Sequence, residues 1–283
     1  MKFTKMHGIG NDYIYFNCLN EELKDPEKAA RLLSHRHFGV GADGIVLILK
    51  STNCDFKMRM FNADGSEGKM CGNAIRCVGK YLYEKGLTDK VFIKIDTLSG
   101  IKSLKLHIEN NEVINVDVNM GSPILTSNEI PVLHTLSNII NEKITIEGLD
   151  YYITCVSMGN PHCIVFIDEI DNLDLTVLGP KFENHPMFPD RINTEFVKLI
   201  DNKTLKMRVW ERGSGETFAC GTGACAVVVA SVLNNHCKRD DDITVKLLGG
   251  DLNIKYQSDS LVYMNGPAEF VFEGTYINKN LNI

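Results

Sequence analysis

None of the nine cysteines of this chain, at positions 18, 54, 71, 77, 155, 163, 220, 225 and 237, forms a Cys-x-x-Cys pair. An odd count without paired spacing argues against the disulfide framework of a secreted domain, and equally against a zinc ribbon. No apolar run reaches the length of a membrane span. The opening stretch, Met1 to Asp12, lacks the apolar centre of a signal peptide, so a cytoplasmic location is expected. Basic residues are the minority, 30 against 36 acidic for a net charge of −6, which argues against nucleic acid or an anionic membrane as partner. Low-complexity segments are missing too. So are a recognisable pyridoxal-phosphate lysine motif and a metal-ligand cluster; the expectation is therefore no cofactor and no metal.

What remains is an ordinary globular composition, 44% apolar and 23% charged. A length of 283 residues suffices for one large core or two of about 140 residues each.

The stretch from Phe61 to Tyr83 decides between these. It reads F-N-A-D-G-S-E-G-K-M-C-G-N-A-I-R-C-V-G-K-Y-L-Y: an apolar strand end, a loop of turn formers, then Ala74, Cys77, Val78, Tyr81 and Leu82 at helical spacing. Cys71 and Gly72 thus fall at the mouth of a helix. Backbone N–H groups there lack intrahelical partners and favour a thiolate or a bound carboxylate. From Trp210 the same order returns, W-E-R-G-S-G-E-T-F-A-C-G-T-G-A-C-A-V-V-V-A-S-V-L. At the Cys71-to-Cys220 offset of 149 residues, Glu211 falls on Asn62, Gly221 on Gly72 and Thr222 on Asn73. Gly159-Asn160 likewise falls on Gly10-Asn11, and Asn193 on Gly44. One gap-free register across several polar positions indicates two homologous halves. The remaining seven cysteines read as small buried hydrophobes.

Short strands are expected at Phe3 to Met6 and Tyr13 to Cys18, around a turn at Gly8 to Asp12. Asp25-Pro26-Glu27 signals a helix start. Strands follow at Ile45 to Leu49, Phe56 to Phe61, Val91 to Asp96, Ile101 to Ile108 and Val113 to Met120. In the second half, strands at Tyr152 to Val156 and Cys163 to Ile167 precede a polar loop around Pro186 to Asn193. Next come a strand at Leu205 to Trp210, the Cys220 helix and terminal strands to Tyr263. The fold class is α+β: two pseudo-symmetric domains, each a mixed, strand-rich curled sheet around a central helix. Domain bounds are expected at 1–119, joined by the tail 268–283, and 120–267, the two facing one another with one cysteine each for a shared cleft.

Two like residues from two like domains suit proton removal from one face of a carbon and delivery to the other. The helix mouth is expected to raise the thiolate fraction, and like-charge repulsion to make the two thiols titrate as a unit. The N–H groups of Gly72-Asn73 and Gly221-Thr222 can hold an α-carboxylate and bear the carbanion's charge. Asn11, Asn62, Asn160 and Asn193 form a paired polar shell. Arg212 offers a fork for a carboxylate, Glu211 a partner for an ammonium, and His162 a bias on cysteine ionisation.

The segments K-M-H-G-I-G-N-D-Y (Lys5 to Tyr13), G-V-G-A-D-G, F-N-A-D-G-S-E and C-G-N-A-I-R-C, with V-S-M-G-N-P-H-C, P-D-R-I-N, E-R-G-S-G-E-T and A-C-G-T-G-A-C-A, resemble the diaminopimelate epimerase family over essentially the whole chain. The resemblance implies cofactor-independent interconversion of LL- and meso-2,6-diaminopimelate in lysine and peptidoglycan precursor synthesis, with Cys71 and Cys220 as the acid/base pair. It assigns Asn11, Asn62, Asn160, Asn193 and Arg212 to the substrate, mostly its distal end. It puts Glu211 at the reacting end and makes Gly72, Asn73, Gly221 and Thr222 the carboxylate cradle. His162 and Glu211 would tune the cysteines. A homodimer is implied as well, with Phe272 near a position where some members carry an interface tyrosine. Competing readings are a proline or hydroxyproline racemase, a thiol-redox protein and a non-catalytic amino-acid-binding protein; Arg212 and the asparagines favour a substrate with a second amino-acid end.

Overall fold

The computed structural model describes residues 1–277; residues 278–283, the end of the expected tail, lie outside the described residues. The chain divides into two compact units, Met1–Val118 with the described residues from Asn265, and Asn119–Met264.

Unit 1 begins with β1 (Lys2–Gly8), β2 (Asn11–Asn17), α1 (Pro26–Leu33), β3 (Gly44–Leu49), β4 (Phe56–Asn62) and β5 (Glu67–Gly68). The central helix α2 (Gly72–Glu84) follows, then β6 (Phe92–Asp96), β7 (Lys102–Glu109) and β8 (Glu112–Gly121), which carries the chain out of the unit. Unit 2 contains β9 (Glu142–Ile146), β10 (Leu149–Ser157), β11 (Pro161–Phe166), α3 (Leu175–Glu183), β12 (Asn193–Asp201), β13 (Thr204–Glu211) and β14 (Gly215–Thr217). It ends with α4 (Gly221–Leu233), β15 (Ile243–Leu247), β16 (Gly250–Tyr256) and β17 (Val262–Gly266), which returns the chain to unit 1. There β18 (Glu269–Thr275) pairs antiparallel with β1.

The repeat seen in the residues is present in the pairing. In unit 1, β2 runs parallel to β3, β3 antiparallel to β4, and β4 parallel to β6. In unit 2, β11 runs parallel to β12, β12 antiparallel to β13, and β13 parallel to β15. Even the register repeats: Tyr13 pairs with Gly44 and Ile45 with Phe61, as His162 pairs with Asn193 and Thr194 with Trp210. The observed class is the expected one, a mixed strand-rich sheet around a central helix in each half.

Both central helices are 13 residues long; α2 is buried on all sides over its first three turns, and α4 likewise except at the half-buried Thr222. Such a helix needs an apolar surface all round. The Ala-Cys-Ala-Val-Val-Val-Ala run of α4 supplies one. By contrast, α2 carries Arg76 and Lys80 into the core. The fully buried Arg76 guanidinium donates to the carbonyls of Gly72 (3.1 Å) and Pro267 (3.1 Å) and to Asn73 Oδ1 (3.0 Å). Lys80 donates to the Val113 carbonyl at 2.8 Å and pairs with Glu84.

Four differences from the sequence expectations have local causes. The first turn is shorter than Gly8 to Asp12: Gly8 already pairs with Asn11, leaving Ile9-Gly10 as a two-residue hairpin loop with φ of 47° and 87°. The helix α3 was not anticipated, because Gly179 and Pro180 interrupt its pattern; Gly179 is needed where a Cβ would stand 2.2 Å from the Trp210 ring. The strand β12 was not anticipated either, because its buried start, Asn193-Thr194-Glu195, is polar. Finally, Cys54 is only half-buried, whereas the other six cysteines read as core residues are buried.

Arg76→Ala is expected to leave three acceptors without their donor and to open a cavity, lowering stability by about 3 kcal/mol. Urea unfolding checks this; a change under about 0.5 kcal/mol would show that the buried guanidinium holds nothing together.

Candidate active site

The site residues in unit 1 come from three neighbouring elements. Asn11 opens β2, Asn62 closes β4, and Cys71 is the N-cap of α2 with Gly72 and Asn73 as its first two residues. Asn11 Nδ2 donates to Asp43 Oδ2 at 2.8 Å, which turns Oδ1 toward Cys71 Sγ (3.3 Å) and Asn73 Nδ2 (3.4 Å). An amide oxygen only accepts, so Cys71 Sγ is the donor in this contact. Asp43 is itself braced by Arg36, which also bonds Asp12. Burial and the neighbouring Asp12 push the Asp43 carboxyl up from its ordinary range. Asn62 turns its Nδ2 into its own loop, donating to Ser66 Oγ at 3.0 Å.

In unit 2, Cys220 is the N-cap of α4, with Gly221 and Thr222 next, and accepts the Gly223 N–H at 3.3 Å. His162 and Glu195 face it from the parallel strands β11 and β12. His162 Nδ1 lies 2.7 Å from Glu195 Oε1, and His162 Nε2 lies 3.1 Å from Asn160 Oδ1. Glu211 closes β13, and its Oε1 accepts from Thr217 Oγ1 at 2.6 Å. Asn193 Oδ1 accepts the Arg212 backbone N–H at 2.9 Å, and the Arg212 guanidinium donates to the Asp190 carbonyl at 2.9 Å.

The structure therefore gathers Asn11, Cys71, Gly72 and Asn73 in one unit and Asn160, His162, Glu211, Cys220, Gly221 and Thr222 in the other. Asn62 stands at the edge of its group. Asn193 and Arg212 are tied to one another along the end of β13.

One expectation is corrected. At Cys220 the helix mouth does not favour thiolate in this state: burial pushes the thiol well above its ordinary value, and the carboxylates of Glu211 and Glu195 push it further. Hydrogen bonds from Gly223 N–H and Thr222 oppose the rise but are smaller. Burial also raises Glu211, against the opposing pull of Thr217 and His162.

Two residues beyond the expected set belong here. Asp43 sits in the G-A-D-G loop (residues 41–44) and orients Asn11. Glu195 lies two residues after Asn193 and so shares its strand face, a relation visible only once residues 193–201 are known to be a strand. His162, Glu195 and Cys220 also form a cluster whose donor atoms lie within 4.8 Å of one another, where no metal-ligand cluster had been expected. Both ring nitrogens of His162 are already hydrogen-bonded, so the ring would have to release a partner before meeting a cation.

The family described as diaminopimelate epimerase matches residues 3–126 and 154–271. A diaminopimelate epimerase of Methanococcus maripaludis is 58% identical over 97% of this chain and 99% of its own length. One from Acetivibrio thermocellus is 56% identical, covering 97% and 98%. Among solved structures, a probable proline racemase from Agrobacterium radiobacter has a TM-score of 0.73 at 12% identity, covering 99% of this chain and 94% of its own. A phenazine biosynthesis protein from Bacillus anthracis has a TM-score of 0.71 at 16% identity, covering 98% and 99%. At such identities these two likenesses concern the fold alone.

Iodoacetamide at pH 8 is expected to label the half-buried Cys71 before Cys220, which is both buried and disfavoured as thiolate. Glu211→Gln removes one of the opposing charges and should speed Cys220 labelling. Peptide mass spectrometry against time reads both; equal wild-type rates would contradict the asymmetry.

Proposed function

The chain belongs to the diaminopimelate epimerase family, and from that premise we propose that Cys71 and Cys220 are the two acid/base groups of its reaction. The observation that carries this reading is the repeated placement of a cysteine as N-cap of a buried central helix, in a register that holds from strand pairs to helix start. In one direction a cysteine thiolate takes the α-proton of the substrate. The C–H bond breaks and its electron pair remains on the α-carbon, delocalised into the α-carboxylate. The other cysteine gives its S–H proton to the opposite face, leaving that sulfur as thiolate and the carbon inverted. The reverse direction exchanges the roles.

The first-turn N–H groups of Gly72, Asn73, Gly221 and Thr222 are the proposed carboxylate cradle. They point along the helix axes, have no intrahelical acceptor and carry the positive end of the dipole. Asn11, Asn62, Asn160, Asn193 and Arg212 are proposed to hold the distal amino-acid end, and Glu211 an ammonium at the reacting end. Burial and the charges of Glu211 and Glu195 disfavour the Cys220 thiolate in the free protein; substrate binding is proposed to supply the charge balance that ionises a cysteine, and His162 and Glu211 to set it. No metal or organic cofactor enters this scheme, so activity should survive prolonged dialysis against a chelator. The product would serve lysine and peptidoglycan precursor synthesis, in the cytoplasm.

A homodimer is proposed through the β18 face, where Val271 and Phe272 are about half exposed and Phe272 packs edge-on against Phe3 at 5.9 Å. Phe272→Asp should shift the mass from dimer to monomer in light scattering after gel filtration. An unchanged dimer would place the interface elsewhere.

The decisive assay is α-proton exchange in deuterium oxide with LL-diaminopimelate under reducing conditions. Wild type should incorporate deuterium and form the meso isomer without added cofactor. Cys71→Ser and Cys220→Ser should each lose epimerisation by roughly a thousandfold. Exchange on proline but not on diaminopimelate would overturn the substrate assignment, and full activity in either variant the two-base scheme.

A further inference from the structure

The offset of 149 residues that superimposes the two halves also exposes where they differ: His162 falls on Tyr13, Glu195 on Val46 and Gly223 on Ala74. These three exchanges meet at one point. Glu195 is wholly buried, and a Cβ at Gly223 would stand 2.6 Å from its Oε1 and 3.2 Å from Cys220 Sγ. The first half, with Val46 at the matching position, has no such carboxylate to accommodate and tolerates Ala74. The second half has a glycine because a carboxylate lies against the helix mouth.

A carboxylate in that position needs a charge partner. Among the described residues, the ion-pair partner of Glu195 is His162, also wholly buried, and the second carboxylate oxygen, Oε2, is buried without a hydrogen bond. Nε2 of the ring faces Asn160 Oδ1, which can only accept, so Nε2 must carry a proton. An ionised Glu195 requires a proton on Nδ1 as well. The other titratable groups around the pair are Cys163 on β11, Glu211 at the end of β13 and Cys220 at the start of α4; each bears a negative charge or none.

We propose that Glu195 is a positioning residue of the epimerisation, holding His162 doubly protonated so that the ring is a fixed cation beside Cys220 and pins the Asn160 amide with Oδ1 inward. This rests on the reading of Cys220 as an acid/base group. The cation offsets the charge of Glu195 as Cys220 loses its proton, and the pinned amide leaves Asn160 Nδ2 as the donor for substrate. The first half reaches the same end for its own asparagine by another route, through Asp43 and Asn11.

The test compares wild type with Glu195→Gln. A glutamine oxygen still accepts from Nδ1, so the fold is kept, but no negative charge holds the second ring proton. Nitrogen-15 spectra of histidine-labelled protein, with His162 assigned from a His162→Gln sample, should show two protonated ring nitrogens in wild type at pH 7. In Glu195→Gln one nitrogen should be bare at pH 7. The variant should melt near wild type and lose roughly ten- to a hundredfold in kcat, as when the carboxylate behind a functional imidazole is neutralised. A bare ring nitrogen in wild type at pH 7 would overturn the proposal, as would kcat and KM of Glu195→Gln within about twofold of wild type. Should wild type fail to exchange the α-proton of diaminopimelate, the assignment of the reaction falls, while the wild-type ring spectrum still decides what Glu195 does to His162.

Discussion

Each half depends on one constraint: a helix buried almost all round over its first three turns must open its N-terminus somewhere. Four N–H groups at that end have no partner within the helix, and burial elsewhere leaves the mouth as the place where they can meet an anion. Serine or aspartate would normally cap such an end, with an oxygen accepting one of these groups, and losing that cap costs about 1 kcal/mol. Both halves have cysteine instead. Sulfur is the weaker acceptor, and at Cys71 no capping bond forms at all. The site gives up capping energy to place a thiol at the mouth of each helix, beside the positive end of its dipole.

Around these two thiols the surroundings diverge. Cys71 is half-buried and hydrogen-bonded to a neutral amide, whose orientation is set by a carboxylate one residue further back. Cys220 is buried beside an imidazole and two carboxylates, and it is burial, with the charges of Glu211 and Glu195, that disfavours its thiolate. A symmetric reaction does not require symmetric resting states. The proposed reaction requires only that each group reach both protonation states during turnover. The His162–Glu195 pair and Gly223 are where sequence divergence has been spent on the difference between the two surroundings.

The asparagines illustrate how a polar shell is built. Asn11 and Asn160 have their oxygens committed inside the protein, Asn193 holds a backbone N–H, and Asn62 closes its own loop. An amide fixed through one atom presents the other at a defined position. Such fixing is second-layer work for groups that sit on Gly-rich hairpins, where the backbone alone would leave several orientations open.

The amino-acid sequence determined the doubling of the fold, the two helices, the cysteines at their mouths and the family, because all of these are local or periodic: a turn followed by a helix, recurring after 149 residues. Helix α3 and strand β12 escaped it, since Gly179-Pro180 and the polar Asn193-Thr194-Glu195 contradict local propensity and are stabilised only by packing against Trp210 and by burial in the sheet. The ionisation of Cys220 was read with the wrong sign for a related reason. A helix dipole can be inferred from a run of residues, but desolvation and the approach of Glu195 and Glu211 depend on which strands lie side by side. Those are contacts between residues far apart in the chain, and the tertiary structure alone decides them.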